Sequence, residues 1–430
     1  MLSAFRNAFK IPDLRNKILF TLFIIAIYRL GAHIPLPGVD IAQLRAFERQ
    51  AANSGGIYSL INLFSGKALT QMAVFALGIM PYITSSIIMQ LLTVVIPKLE
   101  ALQKEGELGQ KKITQYTRYM TVVLALLQSL GIIVTANNGN LFPGIRNLFP
   151  HLTVGRTFLI VLTLTAGTSL IMWLGETITQ RGIGNGMSLI IFSSIIAGLP
   201  GNALSLWKSA GPGEGTVFIA LGIGIVVAVV LVEQAQRRIP VQYAKRVVGR
   251  KTYGGASTYI PMKVNQAGVI PIIFASSLLY LPVLASTIVH NRWFSNFVNN
   301  NLSNQNHISW PYVGSYFILI IFFTYFYTAI TFNPADVADN MKKYGGFIPG
   351  IRPGKPTADY LSHILTRITL PGAIFLGSIA VLPFIAQGAW HITSFPFAGT
   401  AVLIMVGVAL ETMKQIESQL MMRHYEGFLK

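Results

Sequence analysis

The sequence predicts an all-α polytopic membrane protein of ten transmembrane helices in two five-helix halves. Three observations lead there. Of 430 residues, 52% are hydrophobic and only 11% carry a charge, a balance outside the soluble globular range. Ten apolar runs divide the chain, most of them near the roughly 20 residues a helix needs to cross a bilayer core. The basic residues crowd into alternate loops between those runs.

Arg6, Lys10, Arg15 and Lys17 precede the first run, 18–34. The pattern imitates a secretory signal, but Arg29, Gly31 and Pro35 follow instead of a small-residue cleavage site, so a retained first span is expected. Residues 57–96 are almost unbroken apolar sequence with one charge, Lys67, and are too long for one crossing. Gly66 and Lys67 divide them into a short piece, 57–65 (IYSLINLFS), and a second span, 72–96, carrying Gly78 and Pro81. The short piece is too apolar for an ordinary loop and too short to span. In hydrocarbon each unpaired backbone group costs several kcal/mol, so irregular backbone survives only inside a bundle or beside a water-filled cavity. Two readings remain open at this point: a re-entrant hairpin and an interfacial anchor.

The later runs are 120–136, 157–174, 187–207, 216–232, 266–289, 312–332, 368–389 and 397–410. No Asp, Glu, Lys or Arg occurs from 368 to 410, which exceeds one crossing, and 387–396 offers the turn. Ten spans place both termini on one side. Loops on that side hold 25 of the 33 basic residues and the opposite loops 7, with Arg29 inside a span. By the positive-inside rule the termini are cytoplasmic. A division near Gly211 gives halves 1–210 and 211–430 with five spans each. The halves then enter the membrane from opposite sides, as in an inverted repeat. The two longest loops, 233–265 and 333–367, carry Gly, Pro and Lys or Arg and read as structured protrusions on the cytoplasmic side.

Composition also removes function classes. The net charge of +18 poses a question of sidedness more than of nucleic acid. With no cysteine there are no disulfides or thiolate sites, and seven scattered histidines suggest no metal centre. A pump or ion-coupled transporter needs ionisable groups at membrane depth. Here Arg29 lies in the first span, and Glu176 and Glu233 lie at span ends. No hydrolase, metalloprotease or nucleotide-binding motif is present, so no enzyme and no cofactor are expected. Gly182-Ile183-Gly184-Asn185-Gly186 imitates a phosphate loop but follows a membrane helix, and reads as a tight turn. Ile79 and Ile83 share a helix face, as do Met187 and Ile191. From spacing alone such pairs face lipid or neighbouring helices more often than a pore.

Several long segments carry a resemblance. They are ALGIMPYITSSIIMQLL at 76–92, KKITQYTRY at 111–119, MWLGETITQRGIGNG at 172–186, RRIPVQYAKRVVGR at 237–250 and FIPGIRPG at 347–354, with FNP at 332–334 and ADN at 338–340. In order and over essentially the whole chain, these resemble the bacterial SecY family, the channel subunits of the Sec translocon. The resemblance implies an hourglass pore between the two halves that opens sideways between spans two and seven. By position, its constriction falls on Ile79, Ile83, Met187, Ile191, Ile273 and Ile404. Met187 departs from an all-isoleucine ring; its flexible thioether fills gaps but specifies shape less sharply.

The plug of the family corresponds to Ile57, Tyr58, Ser59, Leu60, Ile61, Asn62, Leu63, Phe64 and Ser65. Its lateral gate corresponds to Thr84, Ser85 and Ser86 on span two, Gln128 on span three and the apolar Val269 on span seven. Those polar residues could equally serve only to join helices. On the loops, Arg237, Arg238, Lys245, Arg246, Arg250 and Lys251 suffice as topology signals that attract anionic lipid. The resemblance implies that the same residues dock the ribosome, ribosomal RNA included, and that Arg352 serves the motor ATPase SecA and the ribosome. It further implies the small subunits SecE and SecG, signal-bearing secretory and membrane-protein precursors as cargo, and the bacterial cytoplasmic (inner) membrane. The reading is a protein-conducting channel driven from outside the chain. An inverted-repeat solute or ion transporter is the alternative, and a membrane-embedded enzyme a distant third.

Overall fold

A computed structural model describes residues 9–44, 66–137, 148–150, 152–243, 246–248, 251–253, 257–288, 292–302, 309–390 and 399–427. Each of the ten expected runs falls on a helix, and a small sheet caps one end of the bundle. Helix α1 (Pro12–Gly31) starts with Pro12 in its first turn, where a missing N–H costs nothing. Its buried stripe of Leu14, Ile18, Thr21, Ile24, Tyr28 and Gly31 recurs every three or four residues and packs against the helix at Val154–Arg181. Arg29 lies in the last turn of α1, beside the partial negative charge of the helix end.

The second span is shorter than 72–96. Residues 66–79 run as consecutive turns, and helix α2 (Met80–Val95) begins only after Gly78, at φ +56, and beside Pro81. A left-handed glycine followed by proline forbids helix upstream and seeds it downstream. The irregular backbone is inside protein: Ala68, Leu69, Met72, Ala73, Phe75, Ala76 and Leu77 are all buried. Its polar groups pair with the chain after α1, Leu36 N–H donating to the Met72 carbonyl at 2.8 Å and Val74 N–H to that of Ile34 at 2.9 Å. At Ile96, extended before Pro97, the chain bends by 99° into helix α3 (Pro97–Lys104).

Helices α4 (Glu107–Asn137) and α5 (Val154–Arg181) pack together against α2 and the 66–79 segment. Gly167 of α5 lies against the carbonyl of Val74, where a Cβ would come within 2.2 Å. Asn185 caps α6 (Gly186–Gln234), its Oδ1 accepting from the backbone of Met187 and Ser188 at 3.1 and 3.3 Å. The 182–186 segment is therefore a turn with a helix cap, as expected. Although helical throughout, α6 doubles back. A Cβ on Gly215 would lie 3.4 Å from the Trp207 Cα, whereas eight residues of straight helix advance about 12 Å. Its two limbs are the fifth and sixth expected runs.

The second half contains α7 (Ile270–Ile288), α8 (Arg292–Asn301), α9 (Trp310–Thr331), α10 (Pro334–Lys343), α11 (Lys355–Trp390) and α12 (Gly399–Gly427). Ser309 and Asn333 cap α9 and α10. Strands β1 (Gln236–Tyr243), β2 (Arg246–Val248), β3 (Lys251–Tyr253), β4 (Ser257–Lys263) and β5 (Gly346–Phe347) were not anticipated from the sequence. β1 and β4 pair antiparallel from Gln236↔Lys263 to Gln242↔Ser257, β2 and β3 form a short hairpin, and β5 joins the free edge of β1. The loops 233–265 and 333–367 thus build one structure, with a shared core that includes Ile239, Val241, Met262, Met341, Ile348 and Leu361.

Candidate functional site

The first candidate is an apolar cluster to which helices from both halves contribute. Ile79 is the N-cap residue of α2 and Ile83 lies one turn on, its N–H donating to the Ile79 carbonyl at 3.1 Å. The Asn185 cap fixes the start of α6 and so places Met187 and, one turn later, Ile191. Ile273 comes from α7 and Ile404 from α12. Ile79, Ile83, Ile191, Ile273 and Ile404 are all buried in one contiguous apolar cluster fed by both halves, and Met187 packs against it, partly buried. Met187 sits flush on Gly175, where a Cβ would meet its sulfur at 2.4 Å. The six side chains offer no charge and no hydrogen-bonding group except a weak thioether acceptor. An apolar constriction built of such side chains dewets, excludes ions and gives a passing chain nothing to bind.

Two seams join the halves, and they differ in kind. Along one, α12 meets the 182–185 turn through a polar tie. Gly184 N–H donates to Gln415 Oε1 at 2.9 Å across it, while Ile183 N–H donates to Thr21 Oγ1 at 3.1 Å within the first half, beside a cluster of Leu14, Ile18, Ile183, Ile416 and Leu420. Along the other, α7 packs against α2 and α4. Among the described residues no hydrogen bond or ion pair crosses this second seam. Thr84 and Ser85 are buried on α2, but their hydroxyls donate to their own helix, to the carbonyls of Met80 and Pro81 at 2.9 and 2.8 Å. Ser86 is half-buried. Gln128 of α4 is 1% exposed and its Nε2 has no partner; Ser277 of α7 is equally buried and its Oγ has none. Val269 is buried against Gly407 of α12. Thr84 and Ser85 thus spend their hydroxyls on their own helix, while Gln128 Nε2 and Ser277 Oγ are buried without a partner among the described residues. A buried polar group left unpaired costs about 1–3 kcal/mol.

The expected plug residues, 57–65, lie outside the described residues. Gly66 and Lys67, which follow them, are described and have φ of +61° and +73°. Of the basic loop residues, Arg237 and Arg238 are exposed on β1, and the Arg238 guanidinium stacks 4.9 Å over the Tyr259 ring of β4. Arg246 and Lys251 belong to the β2–β3 hairpin, while Lys245 and Arg250 lie outside the described residues. Arg352 is exposed on the turn that leads from β5 to α11. Gly350 and Gly354, at φ +83° and +101°, and the Thr357 hydroxyl, donating to the Arg352 carbonyl at 2.8 Å, hold that turn.

Sequence reasoning missed two polar clamps. Arg118 of α4 grips Glu176 of α5 through Nε to Oε1 at 2.9 Å and Nη2 to Oε2 at 2.6 Å, with Nη1 on Gln115 at 3.0 Å. Both residues lie at the termini-bearing ends of neighbouring spans, which was the available signal. Asn265 Nδ2 donates to Glu233 Oε1 and to the Gly268 carbonyl, tying the end of α6 to the base of the β1–β4 hairpin. Both clamps stiffen a half, and neither crosses the α2/α7 seam.

A family model described as SecY matches residues 73–413. Curated proteins called protein translocase subunit SecY, from Streptomyces coelicolor and Mycobacterium bovis, are each 57% identical over 443 aligned residues, covering all of both chains. The chain belongs to the SecY family. Solved structures agree on the SecY fold. One described as a protein-conducting channel superposes with a TM-score of 0.66 at 18% identity, covering 94% of this chain and 91% of its own. A second, concerned with the plug domain by which the SecY protein stabilises its closed channel and a membrane seal, gives 0.65 at 19% identity over the same shares. A third, Sec61 in a canine ribosome-channel complex, gives 0.62 at 17%, again over the same shares. Residues 57–65 precede the segment that the SecY model matches.

Proposed function

We propose that this chain passes unfolded polypeptides through the waist between its halves and releases apolar segments sideways into lipid between α2 and α7. The full-length identity to SecY translocase subunits carries the protein-conducting function. The contrast between the two seams carries the sideways opening. A bundle tied by the Gln415 bond to the 182–185 turn on one side, and with no hydrogen bond among the described residues between α7 and α2 or α4 on the other, hinges at the first and parts at the second. Ile79, Ile83, Met187, Ile191, Ile273 and Ile404 form the resting seal, and 57–65 is the plug beneath it. Thr84, Ser85, Ser86, Gln128 and Val269 line the gate.

The excess of basic residues on the termini-bearing side supports cytoplasmic termini in a bacterial inner membrane. The joined loops then form a cytoplasmic platform. Arg237, Arg238, Lys245, Arg246, Arg250 and Lys251 meet ribosomal RNA there, and Arg352 meets the motor ATPase, SecA, or the ribosome. A ribosome-bound likeness, the Sec61 complex, supports that use of the platform. SecE and SecG complete the assembly.

The deciding experiment is reconstitution of the chain with SecE and SecA in vesicles, with a secretory precursor and ATP added outside. Time-dependent protection of the precursor from external protease is expected. Undiminished protease access, in vesicles where a known SecY complex protects, would refute the reading.

A further inference from the structure

Helix α8 lies between α7 and α9 in the chain, at the ends of those helices away from the sheet, and packs against both. Hydrogen bonds fix it there. Ser295 Oγ donates to the Ser286 carbonyl in the last turn of α7 at 3.1 Å, and Ser309 Oγ, at the cap of α9, donates to the Asn301 carbonyl that ends α8 at 2.8 Å. Val298 is fully buried and turns one flank of α8 to the protein. Another flank carries Trp293 and Phe297, one turn apart and 75% and 47% exposed, their rings stacked with centroids 5.8 Å apart. Asn296 is exposed beside them. What covers this aromatic flank follows from its level. The end of α8 is bonded next to Trp310, 68% exposed in the first turn of α9, and from there Gly314, Ile318 and Phe322 recur at four-residue spacing, all exposed. An exposed apolar stripe along a membrane helix faces acyl chains, and α8 is fastened where that stripe ends.

We infer that α8 lies in the membrane interface, with Trp293 and Phe297 reaching past the headgroups into the top of the acyl layer and Asn296 in headgroup water, so that the occupant of this flank is the lipid surface itself. The inference needs only that α7 and α9 cross the membrane, and it stands apart from what the channel carries. The chemistry suits a lipid surface better than water. Each aromatic side chain carries about 150–250 Å² of surface, a large apolar load for a ten-residue helix to expose. An indole joins an apolar body to one N–H donor, and it belongs at a boundary that is apolar on one side and wet on the other. An amphipathic helix held in that plane buries its apolar face and keeps its polar residues outward. Because the Ser295 bond reaches the last turn of α7, this footing sets the level of a helix that walls the proposed gate.

The chain has no cysteine, so Phe297→Cys and Asn296→Cys each accept a single spin label. In the assembled channel complex, reconstituted in vesicles of phosphatidylethanolamine and phosphatidylglycerol, each label is relaxed either by oxygen, which concentrates among acyl chains, or by a water-soluble nickel chelate. Oxygen is expected to outweigh the chelate at 297 and the chelate to outweigh oxygen at 296. Adding Trp293→Ser to Phe297→Cys should shift the 297 label toward the chelate. A chelate-dominated label at 297 would place the helix in water and overturn the inference. Exclusion of both reagents from 297 would mean that a protein covers this flank, and oxygen dominance at both positions would mean a submerged helix; either result also overturns it. Should Phe297→Cys not accumulate, the fluorescence lost on Trp293→Phe supplies the reading. Quenching of that component by lipid brominated near the headgroup end of its chains is expected, and quenching by acrylamide alone, or by neither, sinks the proposal.

Discussion

Gln128→Leu offers the sharpest test of the gate, because the structure gives both its sign and its size. In the structure the Gln128 amide nitrogen is buried without a partner. Opening the seam between α4 and α7 admits water and relieves it, so the orphan favours the open state by about 1–3 kcal/mol. Leucine removes the penalty and adds apolar contact, moving the equilibrium toward closed by roughly 5- to 150-fold. Precursors with weakly apolar signals, which have the least binding energy for opening, should lose transport first. Strongly apolar signals should be nearly unaffected. Gln128→Glu gives the opposite sign, since an unpaired carboxylate at a buried site costs more in the closed state than the amide does. The assay is the initial rate of protease protection for two precursors that differ only in signal hydrophobicity. Equal rates for Gln128→Leu and the wild type with the weak signal, or faster transport by the leucine variant, would refute the argument that an orphaned amide loosens this seam.

Three further outcomes follow from the same geometry. Replacing Ile83 and Ile191 together by Ser or Asn wets the waist, and single-channel recording in planar bilayers should show a leaky resting channel; unchanged conductance removes both from the seal. Arg352→Glu reverses an exposed charge on a turn held by its own backbone bonds. It should abolish motor-driven transport at normal channel abundance, and normal transport would exclude the contact. In this cysteine-free chain, Asn62→Cys should resist an impermeant thiol reagent from the outer side at rest and react when a stalled precursor occupies the channel; equal labelling in both states points to an interfacial anchor instead.

The helical part of this fold was legible because the bilayer enforces it: backbone groups in hydrocarbon must pair locally, so apolar length translates directly into helix. The rule failed at 72–79, where apolar composition continued but the backbone did not. Gly78 and Pro81 were visible and mark the true start of α2. Inside a bundle, apolar character no longer distinguishes helix from a buried irregular chain, because neighbouring segments supply the pairing, as Ile34 and Met72 do here. The strands had a readable signal of another kind. Ile239 and Val241 are buried and alternate with exposed Arg238, Pro240 and Gln242, the period-two pattern of a half-buried strand. The addition of β5 to that sheet was not readable, since two residues carry no period and their partner lies about a hundred positions earlier in the chain.

The gate shows most clearly where residue identity stops being informative. Thr84, Ser85 and Gln128 look alike on paper as polar residues in membrane helices, and a bonded network among them would have locked α2, α4 and α7 together. What decides the mechanics is where each hydrogen points. A threonine or serine in a helix can always turn its hydroxyl to the carbonyl four residues back, and Thr84 and Ser85 do. They are thereby satisfied without reference to any neighbour, and parting the helices costs them nothing. Glutamine has no such local acceptor within easy reach, so Gln128 stays unsatisfied until the seam opens. On the proposed reading, the same composition yields a contact whose closing buries apolar surface and whose opening breaks no hydrogen bond among the described residues. Across the bundle, the Gln415 bond to the Gly184 backbone ties the halves and, on the proposed reading, makes that seam the hinge. Breaking that hinge bond with Gln415→Leu should thus destabilise the folded chain while leaving signal selectivity intact, the reverse of the pattern expected at Gln128.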